Sequence, residues 1–465
     1  MKASSYRIAF SILLFAVSAV ASAQTFTTLV DFDWMPGAEP KGNLIQGLDG
    51  NVYGTTTNGA NCNINCGSIF KIDETGSLTT VYTFCSSGDC SDGTSPIWLM
   101  LGTNGNIYGS AGNGGIDNNG TVFEWTPEGV FITIHKFDWT DGAGPGGIVE
   151  ADDGNLYGTT AGGGISRYCP DCGTIFKITR DGKLTTLHDF CTQVDCPDGG
   201  TPGDLIQGSD GSLYDTTSVG GKYGPGSIFR ITRSGSFATL FSFIKSKGRS
   251  PYGGLTQSSD GSFYGTACDG GEYSHGTVFK ITPENKFVRL HSFVSNADGF
   301  CPIGKLLQAS DGNFYGTTSK DGPNGGGTIF SITPDGVLTN LYSFDPHVGD
   351  DPVGPLFQAT SGTIYGTTVW GGAYGFGTLF TLDVGLGPFV AFMRDSGRVG
   401  ATGGILGQGF TGTTSVMLNG VPANFTVVSD TFITATVPPG ATSGYVTVAT
   451  PGGMLTSNKP FIVLP

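Results

Sequence analysis

Asp204 and Glu150 stand near the starts of two short apolar segments, "PGDLI" (202–206) and "PGGIVE" (145–150). Carboxylates that face a common channel could act as an acid and base pair on a glycosidic bond. The five histidines offer less. His135, His188 and His291 share one position in their segments, which elsewhere holds Tyr82, Tyr342 or Phe241. A position that accepts His, Tyr or Phe is a packing position. No G-x-S-x-G, H-E-x-x-H or P-loop pattern occurs. A second chemistry is flat-ring recognition. Trp34, Trp98, Trp139 and Trp370, with Tyr168, Tyr223, Tyr273 and Tyr374, map to loops or a strand start beside many carboxylates. Exposed rings next to acids suit stacking on sugar rings and also suit protein hot spots. Two departures from the internal repeat add to this set: Asp215 replaces a Gly that follows Tyr elsewhere, and Trp98 stands where Gly is usual. A ligand site needs such a break in symmetry.

The ten cysteines are Cys62, Cys66, Cys85, Cys90, Cys169, Cys172, Cys191, Cys196, Cys268 and Cys301. An even count in an exported chain points to disulfides. Cys268–Cys301 is the natural pair. By analogy Cys62 and Cys66 are expected to bond Cys85 and Cys90, and Cys169 and Cys172 to bond Cys191 and Cys196, in an order left open. "CPDC" (169–172) with Cys191 and Cys196 could also offer four thiolates to zinc, but export and the lone pair favour disulfides, so no metal site is assigned. Asp33, Asp89, Asp92, Asp138, Asp141, Asp195, Asp198, Asp298, Asp350 and Asp351 form an acidic rim. Calcium is the candidate cofactor there, and none is otherwise implied.

These residues are positioned by a repeat. "DGNVYGTT" (49–56), "DGNLYGTT" (153–160) and "DGNFYGTT" (311–318) are three of seven related copies. Their tyrosines are Tyr53, Tyr108, Tyr157, Tyr214, Tyr264, Tyr315 and Tyr365, spaced by about 50 residues, the signature of a stacked supersecondary unit. Each unit has an apolar run, an Asp-Gly-type hairpin turn, the Tyr segment, a "GTIFKIT" segment and an "LTTLHDF" segment. All four are rich in β-branched and aromatic residues and bounded by turns, so they read as strands. The seventh unit stops after its third strand. The missing fourth is "FTTLVDF", Phe26 to Phe32, at the other end of the chain. The expected fold is therefore all-β: a seven-bladed β-propeller closed by its N-terminal strand, with no open edges.

The pattern over residues 26–383 resembles the GloVer-type tandem repeat of exported bacterial proteins, a propeller repeat for which no general catalytic residue set follows. After Asp383 the repeat ends. "GQGF" (407–410), "VMLNGVPANF" (416–425), "ITATVPPGA" (433–441) and "GYVTVATPGG" (444–453) resemble an IPT/TIG domain, a small immunoglobulin-like β-sandwich. That resemblance implies an accessory module of extracellular type. The expected divisions are a signal peptide (1–23), the propeller (24–385) and the immunoglobulin-like domain (386–465).

Lys2 and Arg7, the apolar run from Ile8 to Val20 and Ala21-Ser22-Ala23 form a signal-peptide pattern, which places the chain outside the cell or in its envelope. A formal net charge of −15 argues against nucleic acid and anionic lipid as partners. No later stretch is long and apolar enough to cross a membrane as a helix. The expected role is an exported non-enzymatic binding or scaffold protein that holds a glycan or protein on the face carrying cysteines and tryptophans. The alternatives are a carbohydrate-active lyase or hydrolase with acids at the channel mouth, and adhesion through the immunoglobulin-like domain.

Overall fold

A computed structural model describes residues 24–60 and 66–464. The signal-peptide segment 1–23 and Cys62 lie outside the described residues. Each of the repeat units forms one antiparallel sheet whose strands lie in chain order. The first contains Ile45–Gln46, Val52–Thr56, Ser68–Ile72 and Leu78–Thr83. In the fourth unit the inner strand is split into Gly200–Pro202 and Ile206–Gln207, both paired with Leu213–Val219. In the last unit Thr25–Asp31 pairs antiparallel with Thr378–Asp383, the pairing expected for the displaced N-terminal strand. Among the described residues the one helical turn is Ser295–Asp298.

The repeated residues have specific work. In the turn, Asp49 Oδ1 accepts the Asn51 N–H, and Oδ2 accepts the Tyr53 hydroxyl at 2.9 Å. The same hydroxyl bond joins Tyr157 to Asp153, Tyr214 to Asp210 and Tyr315 to Asp311. Burial, reinforced by the neighbouring Asp210, pushes the Tyr214 hydroxyl up to about 12. The Gly after Tyr is required by space: a Cβ on Gly54 would lie 2.5 Å from Phe70 Cζ. The first Thr of "YGTT" ties one sheet to the next, as Thr159 donates to Gly203 O at 2.6 Å and Thr317 to Pro352 O at 2.9 Å. The second bonds the hydroxyl in the following "GT", as in Thr318 with Thr328 at 2.8 Å.

Packing between sheets is aromatic. The Phe ending each outer strand (Phe84, Phe137, Phe190, Phe243, Phe293 and Phe344) is fully buried, as is Phe32. Phe84 meets Phe123 of the next sheet at 5.2 Å, and Phe344 meets Phe380 at 5.3 Å. Phe32 meets Phe70 of the first sheet at 5.5 Å, so the series of contacts closes on itself. The result is a propeller-like ring with the short inner strands around its axis.

Residues 390–464 build their own sheets. One orders Ala391–Phe392, Thr402–Leu406, Phe432–Thr436 and Phe425–Ser429. A second orders Val421–Pro422, Ser415–Leu418, Val446–Thr450 and Gly453–Thr456. Val390, Ile405, Phe410, Val416, Ile433 and Val448 belong to a core of their own. This part sits on the hairpin-turn side of the ring. Thr431 Oγ1 donates to Leu48 O at 2.6 Å, and Arg394 donates to Ala151 O at 3.1 Å.

Candidate functional site

Two regions of the ring gather the residues singled out by sequence. The first is the axis. Leu44, Leu99, Ile148, Leu205, Leu255, Leu306 and Leu356 are buried at matching positions of the inner strands. The residue just before each is Asn43, Trp98, Gly147, Asp204, Gly254, Lys305 and Pro355 in turn. The inner strands and the strands that follow residue 390 enclose a cavity of 460 Å³, lined in part by Asn43, Trp98, Lys305, Phe392 and Arg394.

Asp204 is half-buried and its Oδ1 accepts the Gly147 N–H at 2.9 Å. Burial raises its carboxyl above the usual range, against the opposing pull of Lys305 and the Gly147 amide. Asp215 lies behind it, fully buried, and neither carboxylate oxygen has a hydrogen-bond partner. The Thr216 and Gly203 amides are near enough to favour its charge but do not complete a bond. Burial first, and the Asp204 charge second, push Asp215 well above the ordinary carboxylate range. Lys305 is lowered by burial, with the two aspartates working in the opposite direction.

Trp98 and Glu150 differ from expectation. Trp98 is not with the other tryptophans on the loop face. It belongs to the inner strand Thr94–Leu101, and its Nε1 donates to Ile148 O at 3.0 Å. Glu150 is not a free acid. It ends the strand Ala143–Glu150 and takes the place that Gln46, Gln207, Gln257, Gln308 and Gln358 hold elsewhere. Gln46, Gln207, Gln257 and Gln358 accept a backbone N–H from the neighbouring sheet, as Gln358 does from Ser310 at 2.9 Å. Glu150 likewise accepts from Thr103 N–H and Oγ1, each at 2.7 Å, and binds Arg180 at 2.7 Å.

The second region is the loop face, reached by the connections after the second and outer strands. Trp34, Trp139 and Trp370 are 37%, 42% and 41% exposed there, and Tyr168, Tyr223, Tyr273 and Tyr374 are exposed as well. Trp34 and Trp139 also hold left-handed backbone, with φ of 77° and 72°. Bulky residues seldom accept that conformation. It is pinned by N–H donors from Ala60 to Trp34 O at 2.9 Å and from Gly164 to Trp139 O at 2.7 Å. Trp34 packs on Phe376 at 5.2 Å, and the Lys41 ammonium lies 5.9 Å from the Trp370 ring.

Much of the acidic rim is occupied by its own loops. Asp92, Asp141, Asp198 and Asp298 accept backbone N–H groups from Cys85, Asp138, Cys191 and Val294. The same carboxylates meet Tyr82 at 2.7 Å, His135 at 2.8 Å, His188 at 2.9 Å and His291 at 2.7 Å. The shared His or Tyr position thus packs and also bonds an Asp, a pairing the sequence reading missed. Its signal was an Asp six to ten residues further on in each of these four units.

The disulfides are a further correction. Cys268–Cys301 forms as expected. The others form within single loops, as Cys85–Cys90, Cys169–Cys172 and Cys191–Cys196, not across two loops. Their Cα separations of 4.0, 5.4 and 4.2 Å show that each loop turns tightly enough to bring its own pair together. Cys66 is also disulfide-bonded. The Sγ atoms of Cys169, Cys172 and Cys191 lie within 4.8 Å of one another. Their sulfurs are in disulfides, so they present no thiolates to zinc.

Comparison with known proteins adds a fold and a repeat type. Residues 201–421 match the Gloeobacter/Verrucomicrobia repeat. No curated protein matches the chain. A streptogramin B lyase structure is similar at 17% identity with a TM-score of 0.55, covering 77% of this chain and 97% of that one. A catalytically inactive virginiamycin B lyase from Staphylococcus aureus, with quinupristin, is similar at 18% identity and 0.55, covering 77% and 99%. PorZ, a surface component of the type-IX secretion system of Porphyromonas gingivalis, is similar at 14% identity and 0.49, covering 94% of this chain and 61% of that one. At these identities the likeness is one of fold. No helix among the described residues is long and apolar enough to cross a membrane.

Proposed function

We propose that this chain is an exported binding protein, a seven-bladed β-propeller over residues 24–385 followed by an immunoglobulin-like domain over 386–465. The observation that carries this reading is the loop face. Three tryptophans and four tyrosines stay exposed on the side away from the C-terminal sheets. Exposed large rings cost solubility, and a monomer rarely gathers them without a partner. Two of the tryptophans are held in costly backbone conformations, and such strain collects at ligand sites. The disulfides of the loop face fit an oxidising compartment outside the cell. The partner best suited to flat rings beside hydrogen-bonding carboxylates is a glycan.

The test is binding of the mature, oxidised protein to a glycan array. Retention of a glycan by the native chain, weakened by Trp139→Ala and by Trp370→Ala, is the expected result. Turnover of a polysaccharide that disappears in Asp204→Asn would replace the reading with an enzyme at the axis. Retention by an unaltered C-terminal domain after both tryptophan changes would replace it with adhesion.

A further inference from the structure

The two bridges of the third unit sit side by side. Cys169–Cys172 closes the loop after the strand Leu156–Gly162, and Cys191–Cys196 closes the loop after the strand Leu184–Asp189. Cys191 is bonded to Cys196, yet its Sγ lies within 4.8 Å of both sulfurs of the other bridge. The backbone fixes this closeness. Ser166 Oγ donates to Cys191 O and accepts the Cys169 N–H at 3.3 Å, so one hydroxyl joins the two loops. Thr201 N–H donates to Cys172 O at 2.8 Å. A Cβ on Gly200 would lie 2.4 Å from Cys172 Sγ, so that sulfur is pressed against the chain leaving the second loop.

Burial divides the four cysteines into two kinds. Cys172 and Cys191 are buried in one apolar cluster. Cys169 and Cys196 are half-buried at its edge, where Tyr168 and Pro170 flank the first and Asp195 and Pro197 flank the second, all exposed. An external thiolate therefore meets Cys169 or Cys196 first, and the sulfur it displaces is a buried one. A displaced thiolate is itself a nucleophile. Its neighbour is the buried sulfur of the other bridge, and side-chain rotation has to close a gap of at most 4.8 Å to a bond of about 2 Å.

We propose that the third unit is a thiol–disulfide exchange site, at which an external dithiol converts the two loop-internal bridges into one cross-loop bridge, Cys172–Cys191. A thiolate of the dithiol attacks Cys196 Sγ, forms a mixed disulfide and expels Cys191 as thiolate. Cys191 attacks Cys172 Sγ, forms Cys172–Cys191 and expels Cys169, which takes up a proton. The second thiol of the dithiol then attacks the dithiol's own sulfur in the mixed disulfide, closes its ring and expels Cys196, which is protonated in turn. Two electrons pass from the dithiol to the protein, which keeps one bridge and gains two thiols at Cys169 and Cys196. Attack at Cys169 expels Cys172, which attacks Cys191, and the product is the same. The ring accommodates such a link, since Cys268–Cys301 joins the corresponding loops of the fifth unit. The site does not depend on the reading of the loop face as a glycan surface.

Partial reduction of the mature, oxidised full chain tests it. Dithiothreitol is raised until thiols first appear in the third unit, the thiols are alkylated, and peptides are mapped without further reduction. Untreated protein is expected to carry Cys169–Cys172 and Cys191–Cys196. Treated protein is expected to gain a peptide pair linked through Cys172–Cys191, with Cys169 and Cys196 alkylated. Cys169→Ser needs no reductant, because Cys172 is then free to displace Cys196, so the alkylated residue should be Cys196 and not Cys172. Treated chains in which one loop-internal bridge persists and both cysteines of the other are alkylated overturn the proposal. So does a Cys169→Ser chain that is alkylated at Cys172, or untreated protein that already holds the cross-loop bridge. The map of the native chain decides the matter even where the variant fails to fold.

Discussion

At the scale of single residues, Asp215 is the position where cost is most visible. Its carboxyl is fully buried and unpartnered, beside Asp204. A carboxyl whose folded pKa is raised prefers its proton in the folded state. Its contribution to stability is therefore fully present below the ordinary carboxylate range near about 3.9 and is lost as pH rises through the folded value. Chemical unfolding measured as the pH is raised from about 4 is expected to show stability falling. Asp215→Gly restores the residue of the other units, where a Cβ would crowd a Phe ring. It is expected to raise stability at neutral pH by about 1–3 kcal/mol and to flatten the pH slope. A variant that is less stable at neutral pH, or an unchanged slope, would contradict this account. Sequence made Asp215 visible because it breaks a repeated Gly. It did not reveal Lys305, although Lys305 occupies the same register as Asp204. That signal appears only when the residues before each buried apolar position are compared.

At the scale of elements, the strands and turns were legible because each repeated letter has a bond to make. Asp and Tyr join within the turn, the Gly after Tyr yields to a Phe ring, and the two threonines bond across strands and sheets. The loops were less legible, because cysteine types state that bridges form but not which sulfurs meet. The structure closes three bridges within single loops. That has an energetic consequence. Cys268–Cys301 joins positions 33 residues apart, whereas Cys191–Cys196 joins positions 5 apart. In the chain-entropy account the first contributes roughly 4 kcal/mol and the second roughly 2 kcal/mol. Paired Cys→Ser changes at 268 and 301 should therefore lower the unfolding midpoint more than those at 191 and 196. Non-reducing peptide mapping should recover Cys85–Cys90, Cys169–Cys172 and Cys191–Cys196. Recovery of peptides linked between residues 169–172 and 191–196 would refute the loop-internal pairing. Glu150 illustrates the other limit: a carboxylate on an inner strand looked free for chemistry, but its register is that of a Gln that staples two sheets.

At the scale of the whole molecule, closure decides whether the ring is one cooperative unit. The N-terminal strand Thr25–Asp31 completes the sheet containing Thr378–Asp383. Phe26 stacks on Tyr342 at 3.8 Å, and Phe32 packs on Phe70 at 5.5 Å. One strand therefore holds the last, penultimate and first sheets together. Without it the edge of Thr378–Asp383 would present unpaired backbone groups, and such edges recruit other chains. The buried rings at the seam would also be uncovered, and losing one buried Phe alone costs about 3–5 kcal/mol. A chain beginning at Asp33 is thus expected to elute from a sizing column as multimers or aggregate. Adding a peptide of residues 24–32 should restore the monomer by supplying the missing strand in trans, because main-chain pairing and two aromatic pockets give it a register. The peptide with Phe26→Ala and Phe32→Ala keeps the backbone donors but not the rings, and it should fail. A truncated chain that stays monomeric and unfolds in one cooperative step would show that the ring does not need its closing strand.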